Sequence, residues 1–428
     1  MDFRTLPDAP LLRLENLTAP ACLLGEAGDL ASVSLTIDRT AGKIVADAPE
    51  AVAVDMGRAM VLPCFTDAHT HIDKGHIWPR AANPDGSFMG ALQTVGADRV
   101  AHWSAEDVRA RADFALRCAF AHGTRALRTH LDSIPPQDGI SWPVFRELRA
   151  DWAGRVELQA VSLVPADFIE PTGDGGAAFA ALAKVVAEAG GVLGAVTFPV
   201  PDLPARLDRF FAMAEKLGLD ADFHVDETMD PTSRTLVDVA EAVIRTGFQG
   251  QVNCGHCCSL STQSEAELAE SIEKSARAGL AVISLPMCNM YLQGRHPGRT
   301  PRGRGVTAVQ ELAAAGIPVA FASDNTRDPF YAYGDLDMLE VLREAVRIAH
   351  LDHGRPDWAR AFTETPAQIC GAAPAGLAVG DPADLVLFRA RAWSELLSRP
   401  QSDRIVLRGG TAIDRTLPDY AELDGLMG

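Results

Sequence analysis

The chain has 428 residues, and 39 Lys and Arg against 57 Asp and Glu give it a formal net charge of −18. That length suits one large barrel with an accessory module, and the acidic balance argues against a nucleic-acid or anionic-membrane partner. A hydrophobic fraction of 47% and a mean hydropathy of +0.03 predict a globular protein with a substantial core.

No apolar run reaches the ~18 residues of a membrane span. The most apolar region, residues 177–200, is broken by Lys184, Glu188 and several glycines. The opening Met1-Asp2-Phe3-Arg4-Thr5-Leu6-Pro7 has no basic stretch followed by an apolar one, so no export signal is expected. Eight cysteines, three of them in Cys254-Gly255-His256-Cys257-Cys258, make no disulfide framework. A reduced, cytoplasmic setting is expected.

In chain order, residues 10–58 hold short β-like runs at 11–14, 32–37 and 43–46. Eight apolar strand candidates follow at 60–65, 125–131, 156–164, 194–199, 220–225, 251–255, 281–286 and 318–323. Helical patterns lie between them at 106–122, 179–189, 207–216, 235–246 and 265–278. Gly123, Gly218, Gly247, Gly279 and Gly316 stand where C-caps belong, and Ser104 where an N-cap does. Strand and helix alternating eight times predict an α/β fold, a (β/α)8 TIM barrel. An open doubly wound sheet is the competitor, but no G-x-G-x-x-G follows any strand. The β-like pattern resumes at 383–388 and 404–410. The expected domains are therefore a barrel over 59–370 and a small β-sandwich assembled from 1–58 and 371–428.

Active sites of such barrels lie at the C-terminal strand ends. The first candidate strand runs into Asp67-Ala68-His69-Thr70-His71-Ile72-Asp73-Lys74. Two histidines one residue apart on extended chain face the same side. The second ends in Arg128-Thr129-His130-Leu131-Asp132, the fifth in His224-Val225-Asp226-Glu227, the sixth in His256 and the eighth in Ser323-Asp324-Asn325. Five of 11 histidines thus fall on one rim. Imidazoles with one carboxylate suit Zn²⁺ or Fe²⁺. The expected chemistry is metal-assisted hydrolysis, in which the ion lowers the pKa of a water. Glu227, three residues past His224, is the candidate proton carrier. Asp324 is the candidate ligand and base toward the water.

These motifs resemble the amidohydrolase superfamily. His224-Val225-Asp226-Glu227, Tyr291-Leu292-Gln293-Gly294-Arg295, Arg128-Thr129-His130-Leu131-Asp132 and Asp328-Pro329-Phe330-Tyr331 are similar to its cytosine deaminase branch. The resemblance extends to the return through Gly380-Asp381-Pro382-Ala383-Asp384-Leu385-Val386. It implies that His69, His71, His224 and Asp324 bind one divalent metal, Zn or Fe(II). It implies that His256 hydrogen-bonds the attacking water or the developing oxyanion, that Glu227 shuttles the proton to a ring nitrogen, and that Gln293 closes over the substrate. Ala195-Val196-Thr197-Phe198 lacks the lysine that binuclear relatives carboxylate.

The chain departs from the cytosine deaminase pattern twice. Pro165 stands where those enzymes carry a glutamine that reads the pyrimidine amide edge, and proline has no side-chain donor or acceptor. Asp324-Asn325 replaces their paired aspartates. Ser323-Asp324-Asn325 and His69-Thr70-His71-Ile72-Asp73-Lys74 look more like the branch that hydrolyses N-alkylamino-triazines. Asn325, with a donor and an acceptor, is a candidate for contact with the ring. Trp78, Phe88, Leu92, Phe330 and Tyr331 are expected to wall the pocket around a flat heterocycle.

The expected activity is hydrolytic deamination of an aminated pyrimidine, pterin or triazine. The alternatives are cleavage of an N-alkylamino or cyclic amide bond, and a non-catalytic scaffold on the same fold. A thiol–disulfide oxidoreductase built on Cys254-Gly255-His256-Cys257 lacks the helix N-terminus such a motif needs. The expected partner is a small heterocycle, with neither nucleic acid nor membrane. The alanine-rich outer helices suit homo-oligomer association as well as packing.

Overall fold

The computed structural model describes residues 5–170, 174–355, 357–374 and 376–428. The first four residues of the opening segment lie outside these. Both ends of the chain contribute to one eight-stranded sheet. It contains β1 (Leu11–Pro20), β2 (Leu30–Asp38), β3 (Lys43–Val45), β4 (Val52–Asp55) and β5 (Met60–Pro63). Strands β14 (Leu385–Phe388), β15 (Ile405–Arg408) and β16 (Thr411–Ala412) complete it, in the order β16-β15-β14-β5-β1-β2-β3 with β4 on β1.

Between the two halves lie eight strands in parallel sheets. The strands β6 (Phe65–Thr70), β7 (Thr124–Asp132) and β8 (Glu157–Leu163) form one sheet. The second runs β13-β12-β11-β10-β9, from β9 (Leu193–Thr197) through β10 (Ala221–Val225), β11 (Val252–His256) and β12 (Ala281–Ser284) to β13 (Val319–Phe321). Isolated parallel bridges join the two sheets at both edges. Val161 pairs Val192 and Pro165 pairs Val196 on one side, and Thr70 pairs Asp324 on the other.

The expected first strand, residues 60–65, is corrected here. Met60–Pro63 pairs antiparallel with β14 in the terminal sheet. The strand that pairs with β7 begins at Phe65. One apolar run spans both, and only partner geometry separates them at Cys64.

Helices flank the strands: α1 (Phe88–His102), α2 (Ala105–His122), α3 (Asp138–Asp151), α4 (Asp174–Glu188), α5 (Leu203–Leu217), α6 (Thr235–Thr246), α7 (Glu265–Ala278) and the short α8 (Pro286–Leu292). In α5 the apolar residues Leu203, Leu207, Phe210, Phe211 and Ala214 recur at helical spacing and are all buried. Phe210 and Phe211 pack on Phe223 of β10 with ring centroids 4.5 and 5.8 Å away. Each such burial stabilises the fold by roughly 1.5–3 kcal/mol. The helix stops at Gly218, whose φ of 66° lets its N–H reach the carbonyls of Ala214 and Glu215. Ser104 caps α2 by accepting from the Asp107 N–H, and Ser264 with Glu267 forms a capping box on α7. Among the described residues no helix is long and apolar enough to cross a membrane.

Candidate active site

Strand ends bring the ligand candidates together. His69 lies in β6, with His71 just beyond it. Asp324 follows β13 and is tied to β6, because its N–H donates to the His69 carbonyl at 2.9 Å. One residue earlier, the Ser323 N–H and hydroxyl both donate to the Asp67 carboxylate. The Nε2 of His224 stands 3.2 Å from that of His69 and 3.1 Å from that of His71. Asp324 Oδ1 is 3.7 Å from His69 Nε2 and 3.3 Å from His71 Nε2. Separations of this size suit ligands that share an ion, and two buried groups here could hold one, His69 with His130 and His224, and His69 with His256 and Asp324.

The state of the side chains fits as well. Burial holds His69, His71 and His224 well below the usual histidine range, so they are neutral imidazoles with a lone pair to give. Both oxygens of fully buried Asp324 lack a hydrogen-bond partner. Burial first, with the Asp328 and Asp67 carboxylates adding to it, pushes its carboxyl up to about 8, a penalty that a bound cation would offset. The Nδ1 atoms of the three histidines also have no direct protein partner, so packing orients the rings. His130 lies against His69 with ring centroids 3.9 Å apart, and Gly255 lies against its other edge.

Glu227 is held from both sides. The neighbouring Asp226 carboxylate accepts from Ser233 Oγ, from the Thr235 N–H and hydroxyl, and from the Leu236 N–H at the start of α6. Gln293 Nε2 donates to the Glu227 carbonyl at 3.1 Å. Glu227 Oε2 then stands 3.6 Å from His256 Nε2. Burial first, and then the Asp324 carboxylate, lifts Glu227 well above the ordinary carboxylate range, against Lys74. The Asn289 amide meets His256 Nδ1 at 2.9 Å. An amide donor there leaves the ring proton on Nε2, facing the site.

The backbone is strained at the same points. Asp226, His256, Cys257 and Asp324 have φ of 49, 71, 50 and 66°, the left-handed region that side chains other than glycine avoid.

A cavity of about 770 Å³ opens onto this cluster, with His71, His224, Glu227 and His256 in its lining. Of the expected substrate contacts, Gln293, Asn325, Phe88, Leu92 and Phe330 line it. Phe88 and Phe330 meet edge to face at 5.6 Å. Asn325 Nδ2 donates to Asp328 Oδ2 at 2.7 Å, which turns its carbonyl toward Cys288. Trp78 and Tyr331 do not line the cavity. Trp78 is carried away by its N–H bond to the Arg327 carbonyl, and Tyr331 packs on Tyr291 and Tyr333.

Lys74, Arg99 and Asp132 also line the cavity, a cluster not expected from the sequence. Asp132 accepts from Lys74 Nζ at 3.0 Å and from Arg99 at 2.8 Å. Lys74 and Asp132 stand inside motifs noted above, whereas Arg99 sits on a helix, where no strand-end pattern points to it. All eight cysteines are buried and unpaired. Burial pushes the Cys254 and Cys257 thiols well above their ordinary value, the reverse of what a redox nucleophile needs.

Residues 104–411 match the model of the Amidohydrolase family. The chain belongs to that family. A pterin deaminase from Rhizobium rhizogenes (strain K84 / ATCC BAA-868) is 56% identical over 436 residues, covering 100% of this chain and 99% of its own. An N-isopropylammelide isopropyl amidohydrolase from Pseudomonas sp. (strain ADP) is 23% identical over 79% of this amidohydrolase and 81% of its own length. Among solved structures, 5-methylcytosine deaminase from Klebsiella pneumoniae superposes with a TM-score of 0.80 at 25% identity, covering 95% of this chain and 98% of its own. This amidohydrolase is a hydrolase of carbon–nitrogen bonds, and the hydrolytic deamination of a nitrogen heterocycle expected from its sequence stands.

Proposed function

We propose that this amidohydrolase removes the exocyclic amino group of a pterin, releasing ammonia and leaving an oxo group on the ring. The reaction class is carried by one juxtaposition. The Glu227 carboxylate lies 3.6 Å from His256 on the wall of a cavity that His71 and His224 also line. The substrate class is supported by the 56% identity to a pterin deaminase along the whole chain. The cavity of about 770 Å³ leaves ample room for a two-ring heterocycle. Pro165, which lines it, offers no side-chain group to read a pyrimidine edge.

In this reading His69, His71, His224 and Asp324 would hold one divalent ion, zinc or iron(II). The ion supplies the positive charge that makes a water acidic enough to attack the ring carbon at neutral pH. Asp324, whose carboxylate oxygens have no protein hydrogen-bond partner, would keep one free to take the water's second proton and pass it to the amino nitrogen. Glu227 takes the proton from the water and delivers it to the neighbouring ring nitrogen. His256 donates Nε2–H to the oxygen that gains charge as the carbon becomes tetrahedral. The amino nitrogen then takes the second water proton and leaves as ammonia. Gln293 keeps the Glu227 backbone in place, and Asn325, Phe88 and Phe330 hold the ring. The environment is cytoplasmic.

For the fold we infer that the two parallel sheets, bridged at both edges, close into a (β/α)8 barrel. We divide the chain into 1–58, 59–370 and 371–428, with strand β5 contributed to the terminal β-sandwich. The functional test is ammonia release from pterin, cytosine and N-isopropylammelide by zinc-loaded protein. Turnover of pterin well above the other two supports the reading. Turnover of cytosine or N-isopropylammelide alone overturns it.

A further inference from the structure

We propose that the segment Asp419–Met427, far from the cavity in sequence, is a clasp that positions two loops adjoining His71 and Asp324. The loops are 72–80, which follows His71, and 324–336, which begins at Asp324.

The first loop is reached through buried ion pairs. Arg80 donates to the Leu426 carbonyl at 2.8 Å. The same guanidinium grips Asp98 of α1 and Asp107 of α2, with four contacts between 2.6 and 3.1 Å. Asp107 accepts in turn from Arg111 at 2.6 and 2.9 Å. Fully buried Arg111 donates to the carbonyls of Asp73 and Gly75 at 2.6 and 3.0 Å. These carbonyls flank Lys74, and Gly75 N–H returns to the His71 carbonyl at 3.1 Å.

The second loop is reached through Tyr420. Its hydroxyl donates to Asp335 at 3.0 Å, and Arg327 lies over its ring at 4.0 Å. The ring also stacks on Phe114 of α2 at 5.5 Å and lies 6.3 Å from His76. The loops meet each other where the His76 N–H donates to the Thr326 carbonyl and the Trp78 N–H to the Arg327 carbonyl. Leu423, buried against Phe114 and Cys118, and the ion pair of Glu422 with Arg117 at 2.7 Å anchor the segment on α2.

Buried Asp107 is held by both Arg80 and Arg111, and buried Asp98 by Arg80 and the Trp103 indole N–H, so losing the Arg80 contacts would leave both carboxylates short of a partner. No residue of the clasp lines the cavity, so its role is positioning.

The test is amide hydrogen exchange by mass spectrometry on the full chain, on a variant ending at Pro418 and on Tyr420→Ala, with circular dichroism as the control for folding. Exchange across 72–80 and 324–336 should rise about tenfold or more in both variants. Elsewhere it should hold, apart from the α2 surface that the segment covers. Zinc loss to a chelator should quicken by about tenfold, as when groups that orient ligands are removed. The zinc arm rests on the metal reading above, whereas the exchange arm does not. Faster exchange with unchanged zinc loss would support the clasp and count against the metal assignment. Tyr420 is 42% exposed, so Tyr420→Ala keeps the question answerable should the shortened chain not fold. Native exchange in both loops of a folded variant would overturn the proposal.

Discussion

Gly255 and His69 meet with no room between them. A Cβ on Gly255 would stand 2.9 Å from His69 Cε1 and 3.0 Å from its Nδ1. The strand that carries His256 therefore also sets the ring plane of a ligand candidate on β6, by leaving out a side chain. Gly255→Ala should tilt His69 by a few tenths of an ångström. Overpacking of this kind costs roughly 1–3 kcal/mol. The expected outcome is a lower Tm and substoichiometric zinc, read by thermal melts and elemental analysis. Full zinc occupancy would mean that packing does not fix the ring.

Glu227→Gln keeps the shape of the side chain and removes its proton transfer. Turnover should fall by about 10²–10⁴-fold while bound zinc is unchanged. Loss of zinc with loss of activity would move Glu227 from proton transfer to metal binding.

The pH profile follows from the same residue. The water must give up its proton to an ionised Glu227, and burial raises the pH at which that carboxyl ionises. The acidic limb of kcat/KM should therefore lie above the ~4.3 of an ordinary glutamate, with activity falling as pH drops through it. The limb should disappear in Glu227→Gln.

Pro165 is extended, with φ −71° and ψ 154°, a conformation open to any residue. Pro165→Gln should therefore be tolerated and should place an amide in the cavity wall. The kcat/KM for cytosine relative to pterin should rise by about two- to tenfold, the effect of one hydrogen bond worth about 0.5–1.5 kcal/mol. An unchanged ratio would show that the wall at Pro165 does not face the ring edge.

Chelation should abolish turnover, and zinc or iron(II) should restore it. In Asp324→Ala neither ion should restore activity, because three neutral imidazoles remain without their carboxylate. Recovery by excess zinc would place the ion elsewhere.

The sequence foretold the fold best where pattern and pairing agree. Seven of the eight strand expectations overlap β7 to β13, because each apolar run is short and closed by turn residues. At residues 60–65 the pattern is uniform, and the break at Cys64 exists only because Asp384 and Gly123 offer partners on either side. The histidines and Asp324 were legible because strand ends share one rim. Arg99 and Asn289 were not, since each reaches the site from a helix whose direction no local pattern encodes. Trp78 was misjudged because being near His71 in sequence says nothing of a loop whose His76 and Trp78 N–H groups bond to the Thr326 and Arg327 carbonyls. The clasp was equally invisible, resting on pairings from 85 to 346 residues apart.

The four left-handed residues at the rim carry a consequence for improving the enzyme. Each costs of order 1–3 kcal/mol in that conformation, and glycine would adopt it freely. At Asp324 and His256, the substitution that most relieves the backbone is the one that removes the chemistry. Selection for heat resistance alone would drift toward inactive chains, with Asp324 and His256 among the first positions to yield. A screen for a hardier catalyst must therefore read turnover, and seek its gains in the terminal sheet and the outer helices.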